Sequence, residues 1–286
     1  MSASRPRSEF ELDRGLAGRV LLRDGRRMPV LGLGVWQTPP GKVTREAVRH
    51  AIDAGYRLVD TAAMYRNEED VGEAVRASGV PRDELFVTTK VWNDDQGYEA
   101  TRKAYERSER TLGLGPIDLY LLHWPVPQLR TESWRALSEL QREGRCRSIG
   151  VSNFTIAHLE ELAARFDTVP AVNQVEFSPF LFQRDLWEYC RGRGIQLEAY
   201  APLTRGRRLG DPTLVRMGAA HGKSPAQVLI RWGLQHQIVE IPKSVRPARI
   251  VENAAVFDFA LSTDEMSALD ALDEGFRTSW NPSTMT

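Results

Sequence analysis

The sequence predicts a closed parallel β/α barrel, (β/α)8, from two observations. Short β-branched or apolar runs alternate with helical segments to give eight strand–helix pairs, and most of the strands are apolar throughout. Polar residues with reactive side chains stand at or just past the ends of those runs, where such a barrel gathers its chemistry. A chain of 286 residues accommodates either two ordinary domains or one large barrel. Barrels of this kind take roughly 250 residues, so one fits with a little left over. No linker, low-complexity tract or composition shift divides the chain, and residues 16–286 are expected to form one barrel domain.

The opening MSASRPRSEFELDRG is polar, has no apolar core to act as a secretory signal, and predicts a flexible arm over 1–15. Residues 20–30 alternate around Asp24-Gly25, a dipeptide that favours a tight hairpin turn ahead of the main fold. Strand one is expected over 31–36, followed by a helix over 44–54 with Thr44 as its cap and Gly55 as its stop. The next strands fall at YRLVDTA, LFVTTKV and IDLYLLHW, with helices over 68–77, 98–112 and through Trp134 to Glu143. RSIGVSN, VNQVEF and IQLEAYAPL are strands five to seven, the first two followed by helices over 156–165 and 185–193. Two helical patterns, 213–221 and 224–235, precede strand eight over 238–244 and its helix over 247–256. A helix capped at LSTDE and a looser, Trp-bearing end extend the barrel at the C-terminus.

Lys plus Arg and Asp plus Glu each number 38, so the molecule as a whole makes no electrostatic case for nucleic acid or an anionic membrane. Any anion it binds is held by a local cluster. No stretch approaches the ~20 apolar residues of a membrane span. Cys146 and Cys190 have no metal-ligand spacing and are too few for a disulfide scaffold, which fits a reducing cytoplasm.

Four residues are the candidates for the chemistry: Asp60 and Tyr65 in DTAAMY, Lys90 in VTTKVW and His123 in YLLHWP. Together they suit delivery of a proton to a carbonyl oxygen while another group delivers hydride. Tyr65 is the candidate general acid, but a phenol near pKa ~10 holds its proton tightly. Lys90 is expected to draw that pKa toward working pH, with Asp60 pairing to keep the lysine charged. His123 is expected to donate a hydrogen bond to the substrate oxygen and orient it. A structural ion pair and an ordinary strand-end histidine are the alternatives for single residues; all four together favour the catalytic reading. Barrel chemistry with a bound metal is disfavoured, because five histidines in all leave no clustered His and carboxylate ligand set.

With GLGVW, DTAAMYRNEEDVG, VTTKVW, LGLGPIDLYLLHWP, IGVSNF, VNQVEFSP and IPKSVRPARIVEN in view, the chain resembles the aldo-keto reductases from the hairpin through the tail. It is most similar to the bacterial branch containing diketogluconate reductases. The resemblance implies a (β/α)8 barrel, a catalytic tetrad falling on Asp60, Tyr65, Lys90 and His123, and a nicotinamide cofactor, usually NADPH. It also implies a small carbonyl substrate, no metal and a monomer. No GxGxxG fingerprint opens a helix after a strand, so the cofactor is held by other means. By resemblance, Ser152, Asn153 and Gln174 hydrogen-bond the nicotinamide carboxamide and Tyr200 stacks on its ring.

Lys243, Ser244, Arg246 and Arg249 place three cations and a hydroxyl at a strand end leading into a helix, whose N-terminus adds a positive dipole. That cluster suits a 2′-phosphate and so favours NADPH over NADH. Glu252 and Asn253 would reach the adenine, and Leu203 with the TRGRR run would cover the pyrophosphate, both by resemblance. Trp36, Trp92 and Trp124 sit just past strand ends as aromatic walls for a substrate, and Trp280 in the tail is placed to close that pocket. A binding protein that keeps NADPH as a redox sensor with little turnover is the rival from another class.

Overall fold

A computed structural model describes residues 9–285. Of the arm expected over 1–15, residues 1–8 lie outside the described residues. Residues 9–15 are tied down: Phe10 bridges Val20, the Glu11 carboxylate accepts from the Arg19 backbone N–H, and a 3-10 turn runs over Leu12–Ala17. The hairpin forms where the alternation places it, with β1 (Arg19–Leu21) antiparallel to β2 (Arg27–Pro29) around Gly25 at φ +86°. Its inner residues Val20 and Met28 cluster with Leu58, Phe86, Leu119 and Val172, apolar residues of the barrel strands. Burying side chains of that size stabilises by roughly 1.5–3 kcal/mol each.

The eight barrel strands are β3 (Leu33–Gly34), β4 (Leu58–Asp60), β5 (Phe86–Val91), β6 (Ile117–Leu122), β7 (Cys146–Ser152), β8 (Val172–Glu176), β9 (Gln196–Tyr200) and β10 (Val239–Glu240). They pair in parallel in chain order. Closure of β3 on β10 rests on Leu31 bridging Glu240 and Gly34 bridging Lys243, with Gly32 N–H donating to Glu240 O at 2.8 Å and Glu240 N–H to Val30 O at 3.0 Å. The strands expected over 31–36 and 238–244 are therefore much shorter in the structure. Pro242 has no N–H to extend β10. Gly32 is fixed by space, since a Cβ there would lie 2.4 Å from Leu58 Cγ.

Around the barrel run α1 (Lys42–Asp53), α2 (Glu68–Ala77), α3 (Tyr98–Leu112), α4 (Arg130–Arg142), α5 (Ile156–Arg165) and α6 (Arg184–Arg193). They are followed by α7 (Pro212–His221), α8 (Pro225–Gln235), α9 (Pro247–Ala254) and α10 (Thr263–Asp270). Thr44 does not cap α1 as expected. Gly41 holds that position and donates to Asp70 Oδ2 at 2.6 Å, while Thr44 donates to Pro39 O. The caps at Ser224 and Ser262 form as the sequence implies, each a reciprocal box with the residue three on, Gln227 and Glu265. No helix among the described residues is long and apolar enough to cross a membrane.

Candidate functional site

A cavity of about 910 Å3 opens at the C-terminal ends of the strands. Every site residue expected from the sequence lines it except Lys90 and Arg246. Among its lining residues are Asp60, Tyr65, His123 and the four tryptophans Trp36, Trp92, Trp124 and Trp280, together with Lys243, Ser244, Arg249, Glu252 and Asn253. Ser152, Asn153, Gln174, Tyr200 and Leu203 also line it.

Asp60 ends β4 and Lys90 lies in β5, one strand over, so parallel pairing brings the two side chains together inside the barrel. Lys90 is fully buried, and its ammonium donates to Asp60 Oδ1 and Oδ2 at 2.7 Å each and to Thr61 O at 2.9 Å. Those three acceptors match its three N–H donors. Burial pushes the Asp60 carboxyl above its ordinary value, with Lys90 and Gln174 pulling it back.

Tyr65 closes a short 3-10 turn after β4, and its ring centre lies 5.1 Å from the Lys90 ammonium. Burial first, then the Asp60 and Glu198 carboxyls, push its phenol well above the usual tyrosine value. The structure thus departs from the expectation that Lys90 lowers this pKa. The ammonium spends all its donors elsewhere, and the carboxylate beside it offsets its charge. Tyr65 is held as a protonated phenol at neutral pH.

His123 follows β6 directly, packed edge-on against Trp92 at 5.1 Å and Tyr65 at 5.7 Å between ring centres. Burial and the Lys90 charge depress its pKa well below the ordinary value, so the ring is neutral at pH 7. A neutral imidazole has one N–H to give, and its Nδ1 is buried without a partner among the described residues.

A braced polar layer also lines the cavity. Asn153, at φ +64°, donates from Nδ2 to His123 O and to Ser152 Oγ at 3.0 Å each, and its Oδ1 accepts from Tyr200 OH at 2.7 Å. Ser152 Oγ donates to Gln174 O at 2.9 Å. Any carboxamide contact by Ser152 or Asn153 is therefore shared with, or replaces, one of these bonds. Gln174 gives its amide N–H groups to Asp60 Oδ2 at 2.7 Å and Glu198 Oε2 at 2.8 Å, which leaves its amide oxygen to accept from a ligand.

Neither Lys243 nor Arg249 makes a side-chain hydrogen bond or ion pair among the described residues. Burial lowers the Lys243 pKa. Two cations lining a cavity without counter-ions fit an anionic group such as a 2′-phosphate. Arg246 does not line the cavity. It precedes α9 as its N-cap, with its backbone N–H donating to Ser244 Oγ at 3.1 Å. The Glu252 carboxylate accepts from Ser224 Oγ at the start of α8.

Three features escaped the sequence reading. Arg205, in the run after β9, lays its guanidinium 4.3 Å from the Trp36 ring centre. Glu176, at the end of β8, anchors the tail by accepting from Thr278 N–H at 2.6 Å and Ser279 N–H at 3.1 Å. That anchor sets Trp280 5.4 Å from Trp124 at the cavity rim, with the Trp280 side chain still mostly exposed. Glu198 lies fully buried in β9; its signal was the period-two row Gln196, Glu198 and Tyr200, polar positions on one face of the strand.

A model of the aldo/keto reductase family matches residues 30–274. The glyoxal reductase of Bacillus subtilis is 50% identical over 267 residues, covering 93% of this chain and 97% of its own. Among solved structures, a variant of Gox0644 in complex with NADPH superposes with a TM-score of 0.89 at 45% identity, over 93% of this chain and 97% of that one. The aldo-keto reductase of Bombyx mori in complex with NADP gives a TM-score of 0.85 at 36% identity, over 91% and 94%.

Proposed function

The chain belongs to the aldo/keto reductase family, and from that premise we propose that it is an NADPH-dependent reductase of aldehydes and ketones in which Tyr65 protonates the carbonyl oxygen. The observation that carries this reading is the pairing of two neutral donors, Tyr65 and His123, with ring centres 5.7 Å apart, in a cavity also lined by two cations, Lys243 and Arg249, that have no ion-pair partner among the described residues. When bound, NADPH would supply the hydride for the carbonyl carbon. Lys243 and Arg249 would hold its 2′-phosphate, and the Gln174 amide oxygen would accept from its carboxamide. Ser244 would add a hydroxyl at the phosphate, and Glu252 and Asn253 would meet the adenine.

The substrate oxygen is oriented by the His123 N–H and takes its proton from Tyr65 OH. A phenol whose pKa is raised gives up that proton only as negative charge builds on the substrate oxygen, which keeps transfer tied to reduction. The Lys90 ammonium then faces the phenolate left behind, and Asp60 holds that ammonium in place. Trp36, Trp92 and Trp124 wall the site against water and offer flat apolar contact to carbonyl compounds of varied shape. We read the protein as monomeric and cytoplasmic.

The test is tryptophan-fluorescence titration with NADPH and NADH, followed by loss of reduced-nicotinamide absorbance with aldehydes, glyoxal and other dicarbonyls, and keto-sugars. Tight NADPH binding with oxidation by several carbonyls is expected. Tight binding without turnover on any of them overturns the reductase reading and favours a sensor.

A further inference from the structure

Gln174 and Glu198 are register partners on neighbouring strands β8 and β9, and Gln174 also reaches Asp60 on β4, four strands away in the barrel. The result is a continuous chain of hydrogen bonds from Lys90 Nζ through Asp60 Oδ2 and Gln174 Nε2 to Glu198 Oε2. Asp60 is a carboxylate facing an ammonium, so the nitrogen of the Gln174 amide, and not its oxygen, must face it. Glu198 takes the second hydrogen of that same nitrogen. With both hydrogens engaged, the amide is fixed in one orientation.

We propose that Glu198 is a positioning residue of the reductase, holding the Gln174 amide so that its oxygen is presented to the nicotinamide carboxamide. The inference rests on the proposed reductase reading. Two features support it. Glu198 is completely buried, and its Oε1 has no partner among the described residues, so the side chain is held by the Gln174 contact and is not part of a larger structural ion pair. Burial and the nearby Asp60 charge also push its carboxyl up to about 8, so it is neutral at pH 7 and ionises in the mildly alkaline range.

The charged and titratable groups around Glu198 are Asp60 from β4, Lys90 from β5, Tyr65 from the turn after β4, and Glu240 from β10. Of these, only Lys90 is positive. When Glu198 ionises, a second negative charge joins Asp60 at the cluster. That charge raises the Tyr65 pKa further and makes the phenol a weaker acid, so reduction slows.

The experiment compares Glu198→Gln and Glu198→Leu with the wild-type chain, reading NADPH affinity by fluorescence separately from turnover. Glu198→Gln keeps an acceptor for Gln174 but cannot ionise; it should retain NADPH affinity and lose much of the decline in kcat between about pH 7 and 9. Glu198→Leu frees the amide and should weaken NADPH by about tenfold. Restoration of affinity by Gln but not by Leu separates positioning from mere filling of space. Equal NADPH affinity in all three proteins, or an unchanged alkaline decline in Glu198→Gln, overturns the proposal. If Glu198→Leu does not fold, the pH profile of Glu198→Gln decides alone. Tyr65→Phe is run alongside: if it still turns over, the reductase reading fails, whereas the Glu198 binding result stands or falls without turnover.

Discussion

Gln174 reaches across the barrel to Asp60, its Nε2 donating to Oδ2 at 2.7 Å from a strand four places away. Asp60 is thereby gripped from two sides, by Gln174 and by the fully buried Lys90. Asp60→Asn leaves an ammonium in the barrel interior without its counter-charge, and breaking a buried pair from one side typically costs about 3–5 kcal/mol. Denaturant unfolding of Asp60→Asn, Lys90→Met and the double variant should show strong coupling, the double losing much less than the sum of the singles. Additive losses would mean that the two groups contribute independently.

Tyr65→Phe removes one hydroxyl and almost no area. Reduction should fall by at least about a hundredfold, the ordinary contribution of a general acid, while NADPH affinity by fluorescence changes little. Retained turnover would assign the proton to another group, with His123 the first to examine.

The ease of reading this chain followed how local each feature is. Strands such as FVTTKV and IDLYLL are apolar along their whole length, so β5 and β6 stood out from composition alone. The ends of β3 and β10 did not, because closure contacts set them: Gly32 against Leu58, and Pro242 without an N–H. Thr44 looked like a cap by type and position, yet the start of α1 is satisfied by Asp70, far along the chain. In the site, the four residues proposed for catalysis stood out because each lies at or just past the end of a strand. The direction of the Tyr65 shift was not, since it depends on how completely Asp60 and Thr61 occupy the donors of Lys90. Arg246 and Arg249 are neighbouring cations in the sequence. The start of α9 separates them, and only Arg249 lines the cavity.

Arg249→Ala should discriminate between the two nicotinamide cofactors. A lost charged hydrogen bond to the 2′-phosphate weakens NADPH by about 1.5–3 kcal/mol, while NADH, lacking that phosphate, is nearly unaffected. Arg246→Ala, outside the cavity, should leave the ratio of the two affinities close to wild type. Equal weakening of both cofactors by Arg249→Ala would place this side chain elsewhere than on the phosphate.

His123 gives a pH signature in stability that is separable from catalysis. Its pKa is depressed in the fold by burial and the Lys90 charge, whereas in the unfolded chain it titrates near 6.5. Below that value the unfolded chain binds a proton that the native state refuses, so the stability contributed by the neutral ring is fully present above about pH 6.5 and is lost as pH falls. The steepest loss is about 1.4 kcal/mol per pH unit for one such group. Buried carboxyls with raised pKa values, such as Glu198 and Asp118, work in the opposite sense over an overlapping range, so the bare pH profile mixes both. The difference between wild type and His123→Asn isolates the histidine. Whatever destabilisation this variant shows at pH 7 should shrink progressively toward pH 5 as the wild type loses its advantage. A difference independent of pH would mean that the native ring accepts a proton as readily as the unfolded one and is a cation at mildly acidic pH.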